Sequence, residues 1–135
     1  MIITDSPEAT IAFGRELGKE LKGNEVIALY GELGAGKTTL IKGIVQGLGI
    51  EKEVKSPSFV IITEYQSGEK IVYHIDLYRI VSQKEVEGIG LADYLIAPGV
   101  KLIEWAEKIE EFLPPETKRI TIKVISKERR EIQIA

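Results

Sequence analysis

Apolar and polar residues alternate along this chain in two distinct rhythms. Between Pro7 and Leu21 the apolar positions Phe13, Leu17 and Leu21 recur every four residues, the spacing that puts side chains on one helical face. Ser6 before Pro7 is a helix start, a hydroxyl N-cap followed by a proline that is tolerated at the first helical position. "EVIALY" (Glu25 to Tyr30) is a short unbroken apolar run ending at a glycine, which predicts a buried strand. After Lys37 the helical rhythm returns through Leu40, Ile41, Ile44, Val45 and Leu48, with Gly49 placed to end it.

The next two runs, "SFVIITEY" (Ser58 to Tyr65) and "KIVYHIDLY" (Lys70 to Tyr78), are rich in β-branched and aromatic residues. The short loop "QSGE" joins them and predicts an antiparallel hairpin. Ser82 and Glu85 form a capping box for a short helix that Gly88 and Gly90 interrupt, and "LADYL" predicts a further helical turn. "VKLIEW" reads as a strand, and "AEKIEEFL" as a helix stopped by Pro114 and Pro115. "RITIKVIS" and "EIQIA" flank "KERR" as a closing hairpin. Strands alternating with helices, together with antiparallel hairpins, predict a three-layer α/β fold with a mixed parallel and antiparallel sheet. No repeat or linker divides the 135 residues, which are read as one domain.

Between the second strand and the second helix lies "GELGAGKTT", Gly31 to Thr39. Gly31, Gly36, Lys37 and Thr38 satisfy G-x-x-x-x-G-K-S/T in the strand–loop–helix context that gives the pattern its meaning. Freed of side chains, such a loop turns successive backbone N–H groups into one concavity at a helix N-terminus, where a phosphate chain is favoured. Glu32, Leu33, Gly34, Ala35 and Gly36 would then supply loop contacts. Lys37 would reach the β- and γ-phosphates, and the Thr38 hydroxyl would ligate Mg²⁺. Thr39 serves either the helix or a phosphate.

A phosphate cradle alone only binds; turnover needs a carboxylate for the metal and a group to place a nucleophile. Two strands end on acids, Asp76 and Glu104. Asp76 follows apolar residues, so its charge calls for a cation such as Mg²⁺. Glu104, between Ile103 and Trp105, suits either orientation of a water, a hold on the metal, or a salt bridge to a lysine. Ser56 and Ser58 flank Pro57 in a loop whose hydroxyls can reach a γ-phosphate, although Ser-Pro-Ser is also ordinary turn chemistry. His74 shares a strand face with Asp76 and reads as a satisfied structural histidine. Arg79 is open to offsetting phosphate charge or to a surface salt bridge.

Composition narrows the function classes. Net charge is -3, and "KERR" is the densest basic run, read as a charged hairpin turn, so nucleic acid has no evident direct footprint. The absence of cysteine excludes disulfides and thiolate chemistry, and one histidine excludes a multi-histidine metal site. The N-terminus is unlike a signal peptide and no apolar run is membrane-length, so a cytoplasmic location without membrane contact is expected. Asn24 is the sole asparagine, which removes the guanine-reading Asn-Lys-x-Asp pattern, and Asp-x-x-Gly is missing. ATP is favoured by that elimination. Between Val81 and Val100 there is no arginine of the kind small-molecule kinases carry on a lid.

Taken in order, "GELGAGKTT", "SPSF", "YHIDLYR" and "IEW" resemble the TsaE family. The resemblance runs from the first helix to Trp105 and implies a P-loop nucleoside triphosphatase fold. It implies an ATPase working with TsaB and TsaD in the threonylcarbamoyl modification of adenosine in bacterial tRNA. It also implies Asp76 as Mg²⁺ ligand, Glu104 as important for hydrolysis, and Trp105 close to the nucleotide. The family's loop usually reads Ser-Pro-Thr-Phe; Ser58 here keeps the hydroxyl.

Overall fold

A computed structural model describes residues 1–32, 34–54 and 61–135. Its strands are β1 (Ile2–Thr4), β2 (Val26–Tyr30), β3 (Ile62–Ser67), β4 (Lys70–Asp76), β5 (Val100–Glu104), β6 (Lys118–Val124) and β7 (Arg130–Ile134). The α-helices are α1 (Pro7–Glu20), α2 (Lys37–Gly47), α3 (Gln83–Gly88) and α4 (Leu91–Ile96). Among the described residues one sheet runs in the order β1-β7-β6-β2-β5-β4-β3. Its centre, β6-β2-β5-β4, is parallel, and antiparallel partners flank it on both sides. The expected α/β architecture with a mixed sheet is therefore observed.

Period-two alternation divides the core between the two sheet faces. Ile27, Leu29, Val72, Leu102, Ile120 and Ile122 pack with Leu40, Ile41, Ile44 and Leu17 of α2 and α1. Val26, Ala28, Ile75 and Ile103 pack on the other face with Val86, Leu91 and Leu95 of α3 and α4. These are the two helical layers. Local signals behave as read: Ser6 accepts from Ala9 N–H at 3.1 Å, and Ser82 from Glu85 N–H at 3.4 Å. Gly49, left-handed at φ +85°, closes α2 as Gly49 N–H meets the Gln46 carbonyl and Ile50 N–H that of Val45.

α1 and α2 meet backbone to backbone. Gly14 and Gly18 stand one turn apart on α1, facing Gly43 and Gly47 on α2. A methyl group added at Gly43 would lie 2.2 Å from the Ile11 carbonyl oxygen, and one at Gly47 2.1 Å from that of Arg15. Only hydrogen fits there. This contact fixes α2, and with it Lys37 and Thr38, against the sheet.

One strand was not read from the sequence, and two expectations are corrected. Ile2–Thr4 forms an edge strand on β7, although its three residues are too few for a pattern to register. The β3–β4 connection is shorter than "QSGE": Ser67 pairs with Lys70, leaving only Gly68 and Glu69 in the turn, with Gly68 at φ +61°. Ser58, where that strand was expected to begin, lies outside the described residues. "AEKIEEFL" is not an α-helix but a 3₁₀ stretch, Ala106–Phe112, broken at Ile109. The period of three turns Ala106 and Ile109 into the core together. The expected closing hairpin forms, β6 against β7, and β6 also pairs in parallel with β2 at the sheet centre.

Candidate nucleotide site

The helix N-terminus at α2 differs from those of α1 and α3. Gly36 is its N-cap, in the left-handed region at φ +104°, and offers no side-chain acceptor. No acid sits in the first turn of α2, whereas α1 and α3 each have a serine cap and a first-turn glutamate. The N-terminal N–H groups and the dipole of α2 are thus left for an external anion. Gly31 permits close approach: a methyl group there would stand 2.8 Å from the Ile122 carbonyl oxygen on β6. Glu32 and Gly34 are exposed at the loop's outer edge, Ala35 is buried under it, and Thr38 and Thr39 are half-buried at the start of α2. Leu33, Ser56 and Ser58 lie outside the described residues.

Parallel pairing brings the two acids together. Asp76 and Glu104 are opposite one another in the β4–β5 register, at the carboxyl ends of both strands. They share the face that carries Val72 and Leu102, hence the α2 side of the sheet. Lys37 is buried beside them. Its Nζ donates to the Gly31 carbonyl at 2.5 Å and lies 4.0 Å from the centroid of the Trp105 ring. Burial pulls the Lys37 ammonium below its ordinary range, against the pull of Glu104, Glu107 and Asp76. Burial likewise pushes the Asp76 carboxyl up, helped by the Glu104 charge, while the Tyr78 N–H, 3.0 Å from Oδ1, opposes this. An anionic pair and a buried ammonium face one another in poor solvent.

Trp105 is the one non-glycine residue with positive φ among the described residues, at φ 60°. That conformation costs a bulky residue roughly 1–2 kcal/mol. It turns the chain out of β5 directly after Glu104 and lays the indole beside Lys37. The Tyr78 ring also packs against the indole, with centroids 5.1 Å apart.

The donor set fits the group that the sequence implied. Among the described residues no three His, Cys, Asp or Glu side chains assemble into a metal cage. Mg²⁺ with a phosphate chain does not need one, since it takes one or two carboxylates plus phosphate oxygens and waters. Asp76, Glu104 and Thr38 provide that number of protein oxygens around an uncapped helix end.

Two residues were not read correctly from the sequence. Arg130, assigned to a charged turn, opens β7 and donates through Nε to the Ala35 carbonyl at 2.8 Å, while Nη1 donates to that of Ser126 at 2.9 Å. The C-terminal hairpin thereby props the loop between β2 and α2, a long-range contact that no local motif announces. His74 is fully buried, yet it is not a satisfied structural residue: Nε2 meets Glu104 Oε2 at 2.6 Å and Nδ1 has no partner among the described residues. Arg79 is exposed.

A family model described as threonylcarbamoyl adenosine biosynthesis protein TsaE matches residues 4–132. The chain belongs to the TsaE family. Among its relatives, the tRNA threonylcarbamoyladenosine biosynthesis protein TsaE of Bacillus subtilis is 46% identical over 129 residues, spanning 96% of this chain and 80% of the relative. The TsaE protein of Treponema pallidum is 36% identical over 98% of both chains. A crystal structure of Bacillus subtilis YdiB superposes with a TM-score of 0.83 at 41% identity, covering 98% of this chain and 82% of that one. The TsaE match thus includes the C-terminal hairpin, beyond the reach of the sequence motifs. No helix among the described residues is long and apolar enough to cross a membrane.

Proposed function

We propose that this TsaE-family chain is an ATP-binding, Mg²⁺-dependent ATPase subunit that works with TsaB- and TsaD-like proteins in the N6-threonylcarbamoyl modification of tRNA adenosine. One observation carries the nucleotide reading: an uncapped, acid-free helix N-terminus with a buried lysine faces two carboxylates paired across β4 and β5. The partnership and the tRNA process rest on family membership. With a net charge of -3, the chain meets tRNA indirectly if at all.

The loop N–H groups and α2 would hold the phosphates. Lys37 would exchange the Gly31 carbonyl for the β- and γ-phosphate oxygens, which suits an ammonium already stripped of water. Thr38 and Asp76 would hold the cation, with Glu104 sharing it through a water or turning an attacking water toward the γ-phosphate. Bound Mg²⁺ would supply charge neutralisation at the phosphate oxygens. Trp105 would cover Lys37 and exclude water. Ser56 and Ser58 would add hydroxyl contacts near the γ-phosphate. Turnover is expected to be weak until partners complete the site.

Calorimetry with MgATP, paired with phosphate-release assays alone and with TsaB- and TsaD-like proteins, tests this. Wild type should bind, Lys37→Ala should not, and Glu104→Ala should bind but turn over far more slowly. Absence of binding heat in folded wild type refutes the nucleotide reading. Phosphate appearing on a metabolite instead of in solution refutes hydrolysis.

A further inference from the structure

The His74 ring sits on β4 between Val72 and Asp76, on a face whose neighbours in the core are Val72 and Leu102. Packing alone would favour another aliphatic residue, because a buried polar atom without a partner is costly. His74 is fully buried, and among the described residues its Nδ1 meets no partner. Its polar contact among them is Nε2 against Glu104 Oε2, at 2.6 Å. An N–H at Nδ1 would be a donor buried with nothing to receive it. The hydrogen-bond network therefore assigns the proton to Nε2, which donates to the carboxylate.

Glu104 is the last residue of β5 and is followed at once by the left-handed Trp105. A carboxylate at a strand end, beside a second carboxylate, is free to rotate about its terminal bond unless something holds one oxygen. Among the described residues the donor that does so is His74. Once Oε2 is pinned, the lone pairs of Oε1 keep a fixed aim.

We infer that His74 is a positioning residue: its Nε2–H locks the Glu104 carboxylate so that Oε1 is presented to the nucleophilic water or the metal-bound water, and the unpaired Nδ1 is the cost of keeping that donor in an apolar layer. The inference rests on the ATPase reading of Glu104 and adds the group that orients it. Partners that orient a carboxylate from behind characteristically change activity by about 10–100-fold when lost.

The test uses the full chain with its partner proteins. His74→Leu removes the donor and keeps the apolar volume, whereas His74→Gln returns an amide N–H near the Nε2 position. For His74→Leu, kcat should fall about 10–100-fold, with MgATP affinity by calorimetry within threefold of wild type. His74→Gln should recover most of the loss. In a Glu104→Ala background, His74→Leu should lower turnover no further. Independently of activity, nitrogen NMR of the imidazole should show Nε2 protonated and Nδ1 bare, with a strongly downfield Nε2–H that moves upfield in Glu104→Ala.

A protonated Nδ1 overturns the inference. So does a folded His74→Leu with wild-type kcat, or an equal loss in both His74 variants. If His74→Leu does not fold, His74→Gln and the wild-type spectrum decide, and loss of kcat in folded His74→Gln overturns it. Should wild type release no phosphate, the ATPase reading fails and the positioning role falls with it; should wild type turn over while the His74 arms fail, the positioning role alone is lost.

Discussion

Replacing Gly43 by alanine adds one methyl group where the structure leaves no room. The new carbon would lie 2.2 Å from the Ile11 carbonyl oxygen and 3.0 Å from Gly14 Cα. A carbon and a carbonyl oxygen rest at roughly 3.3 Å, so the helices must part by about 1 Å. No rotamer can absorb the clash, because both partners are backbone. The cost therefore falls toward the upper end of the ~1–3 kcal/mol typical of overpacking. Alanine returns about 1 kcal/mol through its better helix propensity, which leaves a net loss of about 2 kcal/mol. With an unfolding entropy near 2.1 cal/mol/K per residue over 135 residues, Tm should fall by about 7 °C. Gly88→Ala is the matched control, since a methyl group there meets nothing within 4 Å. It should raise Tm by up to about 3 °C through propensity alone. Thermal unfolding of both variants without nucleotide reads the difference. If Gly43→Ala is as stabilising as Gly88→Ala, the backbone contact between α1 and α2 is wrong.

Two acids respond to pH in opposite senses. Burial and the Glu104 charge hold the Asp76 carboxyl above its ordinary range, so between its unfolded and folded values the native state retains a proton that the unfolded state has released. Stability therefore falls as pH rises through that window, and nucleotide-free Asp76→Asn should melt higher than wild type at pH 7, with the gap closing in acid; a lower melting point at pH 7 refutes this. Burial pushes Glu25 upward, but the N–H groups of Lys22, Gly23 and Asn24, at 2.7, 2.9 and 3.1 Å from its oxygens, outweigh it and hold the carboxyl below its ordinary range. That stability is present above the unfolded value and lost as pH falls through the folded one, so Glu25→Gln should cost about 1 kcal/mol at pH 7 and converge with wild type in acid.

What was legible in the sequence followed from how locally each feature is encoded. The Ser6 and Ser82 caps, the Gly49 terminus and the strand–loop–helix around Lys37 depend on residues close to one another in the chain, and each forms as read. Asp76 and Glu104 were legible because parallel strands place their carboxyl ends together. The losses were long-range. Gly14, Gly18, Gly43 and Gly47 look like weak helix formers until the second helix is present, when the same absence of a side chain becomes the contact. Arg130 reaches Ala35 across 95 positions, and nothing beside it in the chain marks the target. His74 was misread because period two reveals its face but not whether its second nitrogen has a partner.

The site concentrates features that each oppose folding. Lys37 is a buried ammonium, Asp76 a carboxylate in poor solvent, Trp105 a bulky residue in a left-handed conformation, and His74 a ring with one nitrogen unpaired among the described residues. All four lie at the carboxyl ends of β4 and β5 or at the start of α2, while the apolar layers on both sheet faces hold these elements in place. Strain persists only where the surroundings over-determine it, and here two cores and a glycine-tight helix pair do so. A polyanion with its cation would relieve the first two costs together, by giving Lys37 an acceptor beyond the Gly31 carbonyl and Asp76 a positive neighbour. Binding energy of that kind appears directly as added stability of the native state. Mg²⁺ with a nucleoside triphosphate should therefore stabilise wild type more than Asp76→Asn, even though the variant starts from the higher melting point. An inversion of the two curves on adding ligand is the thermodynamic mark of a site strained in advance for its ligand, and parallel curves would show that these buried groups serve the fold alone.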